Sequence, residues 1–534
     1  MIETLVSLLI VASTQNLSDV GAALGLDFVH RTGASGDFYF PEITGAGAAL
    51  LDWDGDGDLD LYLVQSGKID GEVYGEEDQV FLNQLPTEQL KKLTLSGASG
   101  YGMGIAVADV NNDGREDFYL TNLGPNQLWL NQGNGNYLRS KNSLTEGDSW
   151  STSATFFDFD QDGWLDLYVV NYVEFSLSEN PRCYSPTTRR DYCGPSGFEP
   201  QGDKLYRNLG DGRFADVTET VLKGYVPGPG LGVVARDFNN DGWQDLFVAN
   251  DGAHNHLWVN GGGSSFVDEG LLSGVAVNGR GISEASMGVA AADFDEDGDQ
   301  DLFLTHLMTE TSTLYENLGD LQFRDVTQKA GLASSTRAYT GWGAGWVDFN
   351  HDGGLDLFSV NGAVRTQEAQ LAAGSQYPFG QQNQLFLSDG RGRFERSDDV
   401  SSSFFGELSA RGAAFGDVDN DGSADLLIAN GNGPAQLFTG RAPSEPWLGL
   451  DLKLSSGATA IGASVVVQLK SGRKFHRVVH RDGSYASSND PRLRFHIGGE
   501  QLSGLTIVWP GNTQVQYPEL ETGRYHILME PAGE

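Results

Sequence analysis

The apolar positions of the chain fall into short runs separated by Gly-rich turns. A segment of small and apolar residues leads into a cluster of acids, and an apolar, aromatic run such as "DLYLV" or "DLFVAN" follows it. A third run comes next, in "QLWLNQG", "KLYRNLGDG", "HLWVNGG", "TLYENLGD" and "QLFLSDGRG", and then a fourth such as "RFADVT", "QFRDVT" or "SFVDEG". Four short strands per unit, repeated seven times, predict an all-β fold, a seven-bladed β-propeller. Gly stands five positions before the first acid of the cluster in six units, at Gly47, Gly104, Gly232, Gly288, Gly343 and Gly412, and Ser153 takes that place in the third. Strands crowded around an axis leave little room for a side chain there.

The acidic cluster itself has a fixed form, D-x-[DN]-x-D-G-x-x-D. It begins at Asp52, Asp109, Asp158, Asp237, Asp293, Asp348 and Asp417, with successive starts 57, 49, 79, 56, 55 and 69 residues apart. Carboxylates at positions 1, 3, 5 and 9 of a tight loop, with Gly at 6, can converge on one hard cation, and calcium accepts six to eight oxygens in a flexible cage. The expected side-chain ligands are Asp52, Asp54, Asp56 and Asp60; Asp109, Asn111, Asp113 and Asp117; and Asp158, Asp160, Asp162 and Asp166. The later loops supply Asp237, Asn239, Asp241 and Asp245; Asp293, Asp295, Asp297 and Asp301; Asp348, Asn350, Asp352 and Asp356; and Asp417, Asp419, Asp421 and Asp425. Up to seven Ca2+ ions are expected, as structural clamps. Position 12, a bidentate Glu in the helix-loop-helix calcium hand, is here Leu63, Leu120, Val169, Val248, Leu304, Ser359 or Ile428, which excludes that scaffold. Turn formation alone needs one or two such residues, not four mutually repelling acids.

The seventh unit stops after its third strand, "AQLFTG", and the N-terminal "LSDVGAALGL" resembles a fourth strand. The N-terminal segment is therefore expected to complete the last blade and remove a free sheet edge. Residues 1–15, "MIETLVSLLIVASTQ", read as a signal peptide or leader, residues 16–442 as the propeller and residues 443–534 as a small β domain with segments such as "SVVVQLKSG". The formal charge is -39, with 73 acidic against 34 basic residues, which argues against a nucleic-acid partner. Only Cys183 and Cys193 are present, and in an exported chain they would close a disulfide. No apolar run reaches the length needed to span a bilayer as a helix.

With the Gly before them and segments like "LYRNLGDGRFADVT" after them, the loops resemble the FG-GAP or VCBS repeats of integrin α-like propellers. The tail, with "IGASV", "GSYASSNDPRLRFHIG" and "VWPGN", resembles the ASPIC/UnbV domain, and the pairing of the two is similar to the cartilage acidic protein-like family. One departure is "RFHIGGE", where that family usually carries Phe-Gly-Leu-Gly after the His. The resemblance implies a secreted, periplasmic or cell-surface protein. No G-x-S-x-G or H-E-x-x-H is present, and the nine His are scattered, with His476 and His480 in a β region where their spacing makes no metal clamp.

Function is therefore expected on the blade face opposite the acidic loops, where two long insertions, roughly Tyr172 to Lys204 and Asn361 to Gln384, should project. Arg182, Arg189, Arg190 and Tyr192 are the candidate exposed anchors for a partner. The leading reading is a monomeric, non-enzymatic binding or adhesion module for a protein or glycan at the cell surface or matrix. A lyase-like, calcium-dependent carbohydrate-active enzyme and a purely structural surface component are the alternatives.

Overall fold

In a computed structural model of the protein, the described residues are 16–531, apart from 70–71, 86–88, 142–144 and 211. The leader expected over residues 1–15 lies outside them. The first acidic repeat shows how a unit is built. Ala48–Leu51 and Asp60–Leu63 pair antiparallel with the acidic loop between them, and Gln79–Leu82 and Lys91–Thr94 complete a four-stranded sheet. Every residue of the first two strands is buried, so they read as near-continuous apolar runs.

The same antiparallel order recurs in the later repeats. First strands stand side by side in chain order: Ala48–Leu51, Tyr101–Ala108, Ser149–Phe157, Gly230–Arg236, Val289–Ala292, Gly341–Val347 and Ala410–Gly416, the last lying beside Ala48–Leu51 again. The recurrent Gly sits at these contacts. A Cβ on Gly288 would lie 1.9 Å from the Trp342 carbonyl oxygen, and one on Gly412 would lie 2.5 Å from that of Ala46. Ser153 fits the third repeat because its hydroxyl donates to the Leu231 carbonyl at 2.6 Å.

The N-terminal segment pairs as expected: Leu17–Asp19 runs antiparallel to Gln436–Gly440 and forms the outer strand of the sheet built by the seventh repeat. Behind it, Leu24, Leu26 and Phe28 are buried in one cluster with Leu61 and Leu437, so this short segment bridges the first and last repeats. Burying such side chains stabilises by about 1.5–3 kcal/mol each. Deletion of residues 16–30 is expected to lower the melting temperature of the whole protein, and a truncated chain that melts with the parent would refute this.

From Trp447 onward, a three-stranded sheet (Leu493–His496, Trp447–Lys453, Arg524–Met529) and a four-stranded sheet (Lys474–Val478, Ser464–Leu469, Leu502–Trp509, Thr513–Tyr517) share a core. That core is continuous with the repeats, because Ala106, Ala108, Val110, Ala154 and Phe156 belong to the same buried cluster.

The loop between Lys474–Val478 and Leu493–His496 enters the ring of first strands. The Ser488 N–H donates to the Ala48 carbonyl at 3.0 Å and its carbonyl accepts from Leu50 at 3.1 Å, while the Ala486 carbonyl accepts from Ile105 at 3.2 Å. Asp482 accepts from the Thr155 hydroxyl at 3.0 Å and the Ala235 N–H at 2.7 Å, and the Ser484 carbonyl accepts from Val289 at 3.0 Å. The Tyr485 ring packs 4.8 Å from Trp342, and the Ser484 hydroxyl donates to the Ala413 carbonyl at 2.7 Å. One loop thus touches the first strand of every repeat.

The other end of the ring is filled by the short helical turn Phe40–Ile43, whose Phe40 packs 5.4 Å from Trp150 and 5.3 Å from Phe198. Arg411 holds this turn. Its buried guanidinium donates to the carbonyls of Ile43, Gly362, Ala363 and Ala410 and lies 4.3 Å over Trp342; burial lowers its pKa to about 9.

Candidate functional site

The seven acidic loops share one hydrogen-bond scheme. The position-1 carboxylate accepts the N–H of position 5 at 3.0–3.2 Å and that of the position-6 Gly at 2.7–3.1 Å. That wrapping demands left-handed backbone at position 6, with φ of 94° at Gly57 and 104° at Gly298, which explains the invariant Gly within this chain. The position-9 carboxylate accepts the N–H of position 2 at 2.6–3.1 Å. Its other oxygen accepts an N–H at the end of the third strand at 2.6–2.9 Å. Asp60, Asp117, Asp166, Asp245, Asp301, Asp356 and Asp425 are therefore buried tie points between loop and sheet, a role that counting ligands did not reveal.

Four of the loops are also tied to the following repeat by an amide. The Asn ending the third strand donates to the position-2 carbonyl of the preceding loop: Asn208 to Val110 at 2.8 Å, Asn260 to Phe159 at 2.9 Å, Asn317 to Phe238 at 2.9 Å, and, across the seam, Asn83 to Val418 at 2.7 Å. The position-2 ring packs on the same neighbour: Phe159 lies 6.0 Å from Phe266, and Phe294 5.9 Å from Phe394. The Asn in "RNLGDG" and the aromatic in "DFD" were the sequence signals for these contacts.

Burial shapes the charge of the loops. Desolvation, only partly offset by the two N–H donors and reinforced by neighbouring carboxylates, raises the pKa of Asp60, Asp117, Asp245 and Asp356 to about 8 and that of Asp166 to about 9. Carboxylate oxygens within 4.8 Å of one another come from Asp52, Asp54 and Asp60; Asp158, Asp160 and Asp166; Asp293, Asp295 and Asp297; and Asp417, Asp419 and Asp425. These are the four loops with Asp at position 3; the other three have Asn111, Asn239 and Asn350 there. Asp54 Oδ1 and Asp160 Oδ1 are buried without a hydrogen-bond partner, so the donor sets suit a cation. In the third loop Arg207 lies 2.6 Å from Asp160 and 3.1 Å from Asp162, on a half-exposed side chain.

Comparison with known proteins agrees with this repeated geometry. The FG-GAP-like repeat family matches residues 52–120, 109–169, 193–248, 237–304 and 293–359, more than half of the chain. The chain belongs to the FG-GAP-like repeat family. The ASPIC and UnbV family matches residues 453–534 of this FG-GAP protein. Cartilage acidic protein 1 of Xenopus tropicalis is 25% identical over 503 residues, covering 87% of this chain and 70% of the relative. The Homo sapiens protein of that name is 24% identical over 521 residues, covering 91% and 71%. Among solved structures, an Agrocybe aegerita lectin with specific recognition of non-reducing terminal N-acetylglucosamine aligns with TM-score 0.40 and 16% identity over 73% of this chain and 86% of that one.

In this FG-GAP protein the acidic loops are not a free face. The ASPIC/UnbV-type segment docks on several of them, among them the second, the fourth and the last three. His496 Nδ1 lies 2.9 Å from Asp348 Oδ2, and the Tyr525 hydroxyl donates to Asp417 Oδ2 at 2.8 Å. Arg473 pairs with Glu296 at 2.8 Å, and Arg492 donates to the Asp417 carbonyl at 2.6 Å.

The two insertions project from the other ends of the second strands, and they are clasped together. Thr187 donates to Glu368 at 2.8 Å, Arg189 lies 3.4 Å from Glu368, and Thr366 donates its N–H to Asp191 at 3.2 Å. Cys183 and Cys193 form a disulfide in the first insertion. Among the expected anchors, Arg182 and Arg189 are exposed, whereas Arg190 is partly covered, its guanidinium 5.8 Å over Phe38. Tyr192 corrects the expectation. It is buried, 5% exposed, and donates to Glu42 at 2.7 Å, because the hydrophobic lid around Phe38 and Phe379 covers its ring. Beneath the clasp lies a cavity of ≈ 620 Å³ lined by both insertions and by Phe40, Tyr172, Asp251, Met308 and Trp342. Sequence reasoning found the insertions but not Asp251, which lies in the "AND" that ends a second strand and bears no motif.

Proposed function

We propose that the protein is an exported, calcium-stabilised, seven-bladed propeller of residues 16–442 with an ASPIC/UnbV-like domain over residues 443–534, acting as a non-enzymatic binding module for a protein or glycan. The buried, unpartnered oxygens of Asp54 and Asp160, set among other carboxylates, support the calcium reading. Asp, Asn and backbone oxygens at positions 1, 3, 5, 7 and 9 would hold the ion, which would neutralise the acids and hold each hairpin in register. The disulfide supports export.

The observation that carries the binding role is the cavity under the clasped insertions, a concave and mainly apolar site on a rigid scaffold. With the acidic-loop face occupied by the C-terminal domain, the insertion face is the surface left for a partner. The test is a screen of calcium-loaded protein against surface proteins and glycans, repeated with Met308→Trp, which fills the cavity mouth from a side chain that is 37% exposed. Loss of the captured partner in the variant is expected. Full retention, or turnover of a glycan by the parent, would overturn the reading.

A further inference from the structure

The cavity has two chemical halves. Its floor and walls are apolar, with Phe40, Ile43, Met287, Leu307 and Trp342 among them, and beside the buried hydroxyls of Thr44 and Thr340 its carboxylates are Asp191, Glu368 and the half-buried Asp251. Asp251 follows the second strand of the fourth repeat, and among the described residues its side-chain donor is the Tyr172 hydroxyl at 2.5 Å. Its charged neighbour is another acid, Glu310. The two remaining carboxylates of the lining, Asp191 and Glu368, are used in the clasp, and the cation of the lining, Arg365, is exposed. Arg411 lies under the floor but spends its donors on carbonyls. The deep end therefore offers an acceptor of charge within an apolar sleeve, and no cation among the described residues balances it.

We infer that the cavity takes a primary ammonium on an apolar stem, the side chain of a lysine presented by a partner protein, with the ammonium on Asp251 and the methylenes against Leu307, Met287 and Trp342. This rests on the reading of the insertion face as a binding surface and names the group it binds. A half-buried carboxylate at the end of an apolar cavity attracts a cation more strongly than a fully solvated one does, because the local dielectric is lower. A neutral group of the same shape would leave it unpaired. The same acid would repel a carboxylate-bearing ligand such as a uronide, which makes an acidic glycan a poor occupant of this end. Burial already pushes Asp251 up to about 7, and an ammonium at hydrogen-bond distance would return it to the ionised form.

The test uses the full calcium-loaded chain and two probes of one shape, n-hexylammonium and 1-hexanol, titrated calorimetrically at pH 7.5 and near-physiological salt. The expected result is one saturable site for the ammonium, bound at least about tenfold more tightly than the alcohol. Asp251→Asn should abolish that preference, while Met308→Trp, which leaves the acid in place, should block both probes. A lysine-containing tripeptide should compete, and its acetyl-lysine counterpart should not. Equal binding of the two probes, or an ammonium preference retained in Asp251→Asn, would overturn the inference. If the screened partner is still lost with Met308→Trp in that case, the insertion face remains a binding surface with a different ligand group. If Asp251→Asn proves unstable, the acetyl-lysine comparison on the parent decides the same point.

Discussion

Chelation of divalent ions is expected to lower the melting temperature by about 10 °C or more, and readdition of calcium to restore it. The magnitude follows from linkage: a site at about a hundredfold excess over its Kd stabilises the fold by about 2.7 kcal/mol. Two such loops already approach the net stability of a typical domain, about 5–15 kcal/mol.

The pH dependence has a definite sign. In the metal-free protein burial raises all seven position-9 acids above an unfolded value near 3.8, with Asp60, Asp117, Asp245 and Asp356 at about 8 and Asp166 at about 9. Between those limits the folded state binds more protons than the unfolded state, so metal-free stability falls as pH rises from about 4 to about 8. Calcium needs the ionised carboxylates, so the increment it adds should grow over the same window. Melting curves across this range with EDTA and with calcium would measure both slopes. An unchanged melting temperature on chelation would defeat the calcium reading, and metal-free stability that rises with pH would show that these acids are ionised in the fold.

The second large effect is expected at the loop that fills the ring. Asp482 is buried; burial pushes its pKa up, but the Arg236 guanidinium at 2.7 Å overrides this and holds the carboxyl well below its usual range. Asp482→Ala would leave Arg236, itself 1% exposed, buried and unpaired, and removal of one partner of a buried pair costs about 3–5 kcal/mol. Because the same loop touches the first strand of every repeat, the repeats and the C-terminal sheets should melt in a single calorimetric transition in the parent. Asp482→Ala should melt several degrees lower, and the double variant Arg236→Met, Asp482→Leu should recover part of the loss. A parent that shows two separate transitions, with the C-terminal sheets melting alone, would refute the brace.

Much of the fold was legible because the repeat is a local device. A D-x-[DN]-x-D-G-x-x-D loop dictates its own turn through N–H groups two to seven residues away, so each hairpin can be read from a dozen residues. The acidic positions, the Gly at position 6, the N-terminal strand of the seventh sheet and the disulfide were visible for that reason. Less visible was the second function of the position-9 acids, since their partners Asn83 or Asn208 lie a strand or more away.

The exposure of Tyr192 was misjudged for a related reason. Aromatic residues in a long loop read as surface anchors, but the loop folds back over the ring and Tyr192 meets Glu42, 150 positions earlier. A short sequence window around Tyr192 contains only one of the two partners.

By itself, then, the sequence determined an all-β chain of acidic-loop hairpins, its order of strands and the segments that would carry insertions, because hydrogen bonds within one repeat and the period of apolar positions specify them. The tertiary structure alone decided what fills the ring, which face is covered and where a ligand could enter. Those outcomes depend on groups such as Asp482 with Arg236 and Asp251 with Tyr172, which come together only when separate repeats pack around a common axis.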